Sequence, residues 1–378
     1  VGKAPKGSFR FVRPEELSIP VIEALLQETQ IPPECVDDLI VGCAMPEGEQ
    51  GANMARYISL GAFKTDKVPG VTINRFCASG LESIVIAFSK IRAGLANCIV
   101  AGGVESMSYV PMRGFKPSPY INYVKEFPDW YWGMGLTAEQ LALEKSITRE
   151  ESDEFALNSH KKALKFISEE RHKDEIIPIK TKYVTVIDSK KVETEKIVDV
   201  DEGPRADTSL EALAKLPPVF KRNGIVTAGN SSQRSDGSAY VIVASEDFVK
   251  KYNLKPLARL ISYGVAGVPP RIMGIGPVYA IPKALKMANL KIEDIGIIEL
   301  NEAFACQALA VIKELHLPVD RVNVNGGAVA LGHPLGCTGA KLTVTALYEA
   351  RRRKEKYILI TMCVGTGQGA AGIFEVLN

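Results

Sequence analysis

Apolar positions along this chain follow two periods, and the order in which they alternate occurs twice. Ile22-Glu23-Ala24-Leu25-Leu26 has the spacing of an amphipathic helix and leads through a short loop to the buried-strand pattern of Val36-Asp37-Asp38-Leu39-Ile40-Val41-Gly42. Lys283-Ala284-Leu285-Lys286-Met287 leads in the same way to a strand predicted over 292–299, again with an acidic residue ahead of the apolar run. The next units also pair. Val71-Thr72-Ile73-Asn74 predicts a short β-branched strand, then a turn around Cys77-Ala78-Ser79-Gly80, then a helix on Leu81, Ile84, Val85, Phe88 and Ile91. Its counterpart is a strand at Val322-Asn323-Val324-Asn325, a glycine-rich turn, and a helix carrying Leu342, Leu347 and Tyr348. Both helices run into apolar strands that end in glycine, over 98–103 and 358–365.

In the second copy a last strand, 369–376, follows almost at once. In the first, the matching strand at 237–243 arrives only after an insertion of roughly 104–236, far longer than an ordinary connection and of the size used for lids and binding elements. The insertion predicts a helix over 148–165 and a lysine-rich stretch over 161–196. A solvated face accounts for that stretch more simply than a docking surface for a phosphorylated ligand. The economical reading is an α/β protein of two duplicated βαβ-rich halves with an inserted segment.

Length and charge narrow the classes. The 378 residues allow two or three domains with an ample core. Lys plus Arg is 46 against 44 Asp plus Glu, so the overall field gives no reason to expect nucleic acid or a membrane surface as partner. No apolar run reaches the ~18 residues of a membrane span, and the opening Val1-Gly2-Lys3-Ala4-Pro5-Lys6-Gly7 lacks a secretory pattern. A cytoplasmic protein is the expectation. Seven widely spaced cysteines, none in a C-x-x-C pair, read as free thiols rather than as disulfides or a zinc framework.

Four residues sit where chemistry is done: two of these cysteines, a histidine and an asparagine. Cys77 lies between a strand and a helix start, where unpaired N–H groups favour thiolate over thiol; the plainer alternative is a buried filler. His333 occupies the densest run of small residues, 325–336, in the turn that the repeat sets opposite Cys77, so the two can pair as nucleophile and base. Cys363 ends a buried strand, and the glycine-rich run after it, Val364-Gly365-Thr366-Gly367-Gln368-Gly369, suits N–H donation to an oxyanion better than dinucleotide binding. Asn301, at the carboxyl end of a strand, is placed to orient a water or a carbonyl, or simply to cap a turn.

Asn74-Arg75-Phe76-Cys77-Ala78-Ser79-Gly80-Leu81, Gly102-Gly103-Val104-Glu105-Ser106-Met107-Ser108, Asn301-Glu302-Ala303-Phe304, Gly332-His333-Pro334 and Cys363-Val364-Gly365 together resemble the thiolases, in order and spacing, over essentially the whole chain. The resemblance implies two βαβαβαββ halves stacked as five α-β-α-β-α layers. On it, 1–105 with 223–252 forms the N-terminal half, 106–222 an inserted loop domain and 253–378 the C-terminal half.

It also implies roles. Cys77 is the acylated nucleophile and His333 activates it; Cys363 is the acid/base; Asn301 holds a water that, with His333, stabilises an enolate. The N–H groups of Cys77 and Gly365 form a second anion hole. Coenzyme A is a substrate, contacted by Ser232 and Ala228, with Phe220, Arg205, Met134, Ala303 and Phe304 lining its channel. Neither a metal nor a permanently bound cofactor is implied. The activity expected is CoA-dependent cleavage of a 3-ketoacyl-CoA, as in degradative members. Gly336-Cys337 after the His-Pro motif, and Met134-Gly135-Leu136-Thr137 with no preceding His, favour that type. The alternatives are an acetoacetyl-CoA thiolase, a ketosynthase of the same fold, or a catalytically silent acyl-CoA-binding protein. Members form homodimers or tetramers, some with a hydratase/dehydrogenase partner subunit. Most begin with a further strand ending in Arg-Thr-Pro, so the first half is expected to lack a strand here, or the chain to be incomplete, with any organelle-targeting segment lost. Gln140 stands where many members carry Asn.

Overall fold

The computed structural model describes residues 1–377. The first half opens with a two-residue strand, β1 (Gly2–Lys3), then α1 (Pro14–Thr29), β2 (Asp38–Gly42), α2 (Met54–Phe63), β3 (Gly70–Ile73), α3 (Ser79–Arg92) and β4 (Cys98–Ser106). The insertion follows, with α4 (Ile121–Glu126), α5 (Met134–Glu144), α6 (Arg149–Ser168), a hairpin of β5 (Ile179–Ile187) and β6 (Lys190–Val198), and α7 (Leu210–Ala214). The chain then returns through β7 (Ser235–Ala244) and α8 (Glu246–Lys251). The second half comprises β8 (Ala258–Gly267), α9 (Gly276–Ala288), β9 (Ile297–Leu300), α10 (Ala305–Leu315), α11 (Ala328–Leu331), α12 (Leu335–Arg353), β10 (Tyr357–Val364) and β11 (Gln368–Val376).

Two sheets result. The first runs β1-β7-β4-β2-β3, with β2 parallel to β3 and β4 and with β7 antiparallel to β4; the second runs β8-β11-β10-β9, with β9 and β10 parallel and β11 antiparallel to β10. The halves differ at one edge, where β8 pairs along its length with β11 but β1 meets β7 only at Gly2–Asp236 and Lys3–Ser235. Among the described residues no helix is long and apolar enough to cross a membrane.

The layering follows from strands buried on both faces, whose successive side chains point to opposite sides. In β2, Leu39 and Val41 join Leu17, Ile22, Met54 and Ile58 in an outer core beneath α1 and α2, while Ile40 turns inward. In β10, Ile358 and Ile360 turn to the same inner core, and Leu359 to another beneath α9 and α10 with Ile281 and Val311. Helices α3 and α12 fill the inner core, through Leu81 and Ile84 on one and Ala340 and Ala346 on the other. The order is therefore helix, sheet, helix, sheet, helix, with the middle layer shared by both halves.

Glycine sets the closest approach in that layer. A Cβ on Gly80 would stand 2.7 Å from the backbone nitrogen of Ala340, and one on Gly339 would overlap the backbone nitrogen of Leu81. Backbone cannot swing aside as a side chain can, so Gly80→Ala should cost about 3 kcal/mol of stability, read as a lower urea midpoint. An unchanged midpoint would show that the helices part freely.

Two predicted strands are corrected. Residues 292–294 form a 3-10 turn, closed when Asp294 accepts from the Lys291 N–H at 2.8 Å, and the strand begins only at Ile297. No strand forms at 322–325 beyond a single parallel bridge from Val322 to Ile298. There Asn323 adopts φ 45°, and its side-chain amide takes over the pairing, accepting from Leu300 N at 2.9 Å and donating to Leu300 O at 2.8 Å. In the lysine-rich stretch, Lys165, Lys173, Lys180, Lys191 and Lys196 each pair with a glutamate, as a solvated ion-paired face does.

Candidate active site

The turn carrying Cys77 is built before the helix begins. β3 ends at Ile73, and Asn74 pins the turn beyond it, donating to Ala44 O at 3.0 Å and accepting from Phe76 N at 2.7 Å. Phe76 sits at φ 43°, a left-handed conformation unfavourable for a bulky residue. Ser79 holds it there, donating to Phe76 O at 2.7 Å and accepting from Arg75 N at 2.8 Å. Cys77 thus lies in a 3-10 turn, Phe76–Ala78, two residues ahead of α3.

The helix start does not act on Cys77 alone. Burial pushes the Cys77 thiol up to about 11, against the opposing N–H groups of Gly365 and of Cys77 itself. Desolvation outweighs the helix N-terminus, so the nucleophile rests as a thiol and depends on a base.

His333 is 4% exposed and its ring roles follow from one hydrogen-bond chain. Thr338 Oγ1 donates to Pro334 O at 2.9 Å, so towards His333 Nδ1, 2.6 Å away, it acts as acceptor. Nδ1 therefore carries the proton and Nε2 the lone pair. Asn301 Nδ2 lies 3.3 Å from Nε2, while Asn301 Oδ1 is buried without a protein partner, as an atom that holds a water would be. Burial also lowers the imidazole pKa to about 4, which keeps the ring neutral at physiological pH.

The other groups close on this point. Cys77 packs against the small cluster of Ala44, Met107 and Leu335, the last of them two residues beyond His333. Asn301 N donates to Thr361 O on β10, two residues before Cys363. Cys363 is fully buried with Ala303, Phe304 and Cys306; burial, and after it the neighbouring Cys77, hold its thiol well above the usual range. A methyl on Gly365 would stand 3.7 Å from Phe76 and 3.8 Å from the Met134 sulfur, so backbone, ring and thioether meet at one narrow place.

The expected coenzyme channel is partly drawn together. Ser232 N donates to Ala303 O at 3.0 Å, Ser231 bridges to Phe304, and the Phe304 and Phe220 rings lie edge to face at 6.1 Å. Phe220 also fills the space beside Gly135, next to Met134. Ala228 is exposed in a turn closed by Thr227 and Asn230. Arg205 stands apart, its exposed guanidinium paired with Asp207 at 3.1 Å. Gln140 points along α5 to Glu144.

Two supports had no assigned role in the sequence. Thr338 is one, signalled only by a hydroxyl one helical turn after Pro334. Glu105 is the other: fully buried, it accepts from Ala44 N at 2.7 Å, Met45 N at 3.1 Å, Gln50 Nε2 at 2.8 Å and Gly336 N at 2.8 Å. It fastens the start of α12, and hence the His333 turn, to the loop after β2.

A cysteine facing backbone donors, a neutral imidazole with a free nitrogen and a second buried thiol are the parts of a covalent acyl-transfer site with its own proton carrier. Residues 1–247 match the thiolase N-terminal domain and 254–376 the thiolase C-terminal domain. The chain belongs to the thiolase family and is an acyltransferase of the degradative type. It is 49% identical to a 3-ketoacyl-CoA thiolase of Bacillus subtilis, over 100% of this chain and 96% of that protein. The crystal structure of human mitochondrial 3-ketoacyl-CoA thiolase in complex with CoA superposes with a TM-score of 0.88 at 39% identity, over 100% of this chain and 95% of the other. A Bacillus anthracis acetyl-CoA acetyltransferase gives 0.87 at 41%, over 100% and 96%.

Proposed function

We propose that the protein cleaves 3-ketoacyl-CoA with CoA to give acetyl-CoA and a shortened acyl-CoA, through an acyl group carried on Cys77. His333 Nε2 takes the Cys77 proton as Sγ attacks the C3 carbonyl. With the thiol held high and the imidazole low, that transfer is uphill unless bond formation goes with it. The oxyanion forms against the N–H groups of Cys77 and Gly365. The C2–C3 bond then breaks, leaving the acetyl-CoA enolate on the Nε2–H of His333 and a water held by Asn301. Cys363 protonates C2 and releases acetyl-CoA; its thiolate then takes the proton of incoming CoA, whose sulfur attacks the acyl group and frees Cys77. Each preorganised donor is worth roughly 3 kcal/mol of barrier.

The observation that carries this reading is the Gly365 N–H directed at the Cys77 sulfur, with a second thiol beside it. Ser232, Phe220, Met134, Ala303 and Phe304 form the wall for CoA, and Ala228 and Arg205 its outer contacts. Thiolysis of 3-ketoacyl-CoA substrates of increasing length, followed by loss of enolate absorbance, tests it. The likeness to an acetyl-CoA acetyltransferase favours a second reading, turnover of the C4 substrate alone; no turnover at any length leaves a silent binder.

Thr338→Val keeps the shape but leaves Nδ1–H without its acceptor, so kcat should fall on the order of 10–100-fold while Thr338→Ser stays near the parent. Equal rates for both variants would show that Thr338 does not set the tautomer. A homodimer or tetramer is supported by the open edge of β3, where Val71 is exposed, and by the exposed Tyr57 and Leu60 on α2. A cytoplasmic setting fits the bacterial relative.

A further inference from the structure

The nucleophile turn belongs to the first half and the Gly365 donor to the second, and one chain of side chains joins them outside the reacting groups. Arg75, two residues before Cys77, forks onto Glu82 of α3, Nε to Oε2 at 2.6 Å and Nη2 to Oε1 at 3.1 Å. Tyr263 of β8 donates to the same carboxylate from the second half. The remaining arm of the fork, Nη1, reaches Gln368 Oε1 at 3.3 Å. Gln368 opens β11 opposite Val364, and its Nε2 lies 3.5 Å from Gly365 O, which also accepts from Thr366 Oγ1 at 2.6 Å.

This arrangement answers a mechanical problem. The turn after β10 passes through Thr366 at φ 62° and Gly367 at φ 84°, and Gly365 has no side chain of its own to fix its peptide planes. A donor that must meet a developing oxyanion gains most when it is already aimed.

We propose that Arg75 and Gln368 are positioning residues: the Arg75–Gln368 link holds the peptide plane after Gly365 while the end of β10 at Val364 holds the plane before it, so that the Gly365 N–H stays aimed at Cys77 and the two halves of the site stay in register. Arg75 is anchored by Glu82 and Tyr263, so the link borrows its rigidity from α3 and β8. Gln368 serves both neighbours because its amide offers an acceptor to the guanidinium and a donor to the carbonyl at once. Glutamate at 368 would keep the first bond and lose the second.

The inference rests on the proposed reaction only for the rate it affects, so its decisive readout is independent of turnover. Alkylation of Cys77 by iodoacetamide as a function of pH reports the Gly365 N–H, because that donor favours the thiolate; Glu105, Cys363 and the His333 imidazole, the other ionisable groups around it, are left intact. Gln368→Met should move the alkylation midpoint to higher pH by about half a unit and lower kcat about tenfold with the KM for CoA unchanged. Gln368→Glu should do the same, and Arg75→Lys should shift the midpoint in the same direction if the residue-368 variants fold poorly. A midpoint within error of the parent in folded Gln368→Met, whatever its kcat, overturns the proposal. A shifted midpoint in a protein whose parent cleaves no 3-ketoacyl-CoA keeps the link and sinks the reaction.

Discussion

Cys77→Ala is expected to abolish the acyl-enzyme and to lower thiolysis by about 10⁴-fold or more, the loss typical of removing a covalent nucleophile. No neighbouring group can substitute. Cys363 is fully buried and its thiol is held well above the usual range, and Cys306 lies in the same apolar cluster with its thiol raised to about 12. The check is mass spectrometry of the denatured protein after brief exposure to acetoacetyl-CoA. The parent should gain one acetyl group on the peptide holding Cys77 and the variant none. An adduct that persists in the variant on another residue would refute the assignment.

Cys363→Ala should give the complementary result. Cys77 keeps its Gly365 and Cys77 N–H donors and its base, so it remains open to acylation, but nothing protonates the departing carbanion or deprotonates the incoming CoA. Thiolysis should fall by roughly 10³-fold, within the range for loss of a general acid and base, while the acetylated form of Cys77 remains detectable. Unchanged thiolysis would contradict the role. Because the Cys363 side chain sits among Ala303, Phe304 and Met273, the small cavity left by alanine should cost little stability beside the lost rate.

The duplication was legible because a strand buried on both faces leaves an unbroken apolar run, and β2, β4, β10 and β11 all do so. The strand expected at 322–325 failed for a reason no periodicity carries. A side-chain amide can imitate the backbone amide, and Asn323 does so at the edge of β9. Candidate residues stood out in the same uneven way. Cys77, His333 and Cys363 are rare residue types among small ones, a contrast visible in one dimension. Thr338 and Gln368 are ordinary polar residues whose meaning lies in what they touch, and Arg75 and Gln368 are 293 positions apart. At Cys77 the helix start that favours a thiolate is visible in sequence, and the desolvation that opposes it is not.

Where α3 crosses α12, at Gly80 and Gly339, main chain of one half comes up against main chain of the other. Cys77 stands just ahead of one of these helices and His333 just ahead of the other. The crossing is thus a rigid pivot: a slip of one half along the other passes undamped into the gap between sulfur and imidazole. Volume exchanges that ordinary cores absorb would detune the catalytic pair from a distance, so the midline should be the least forgiving place in the molecule for conservative change.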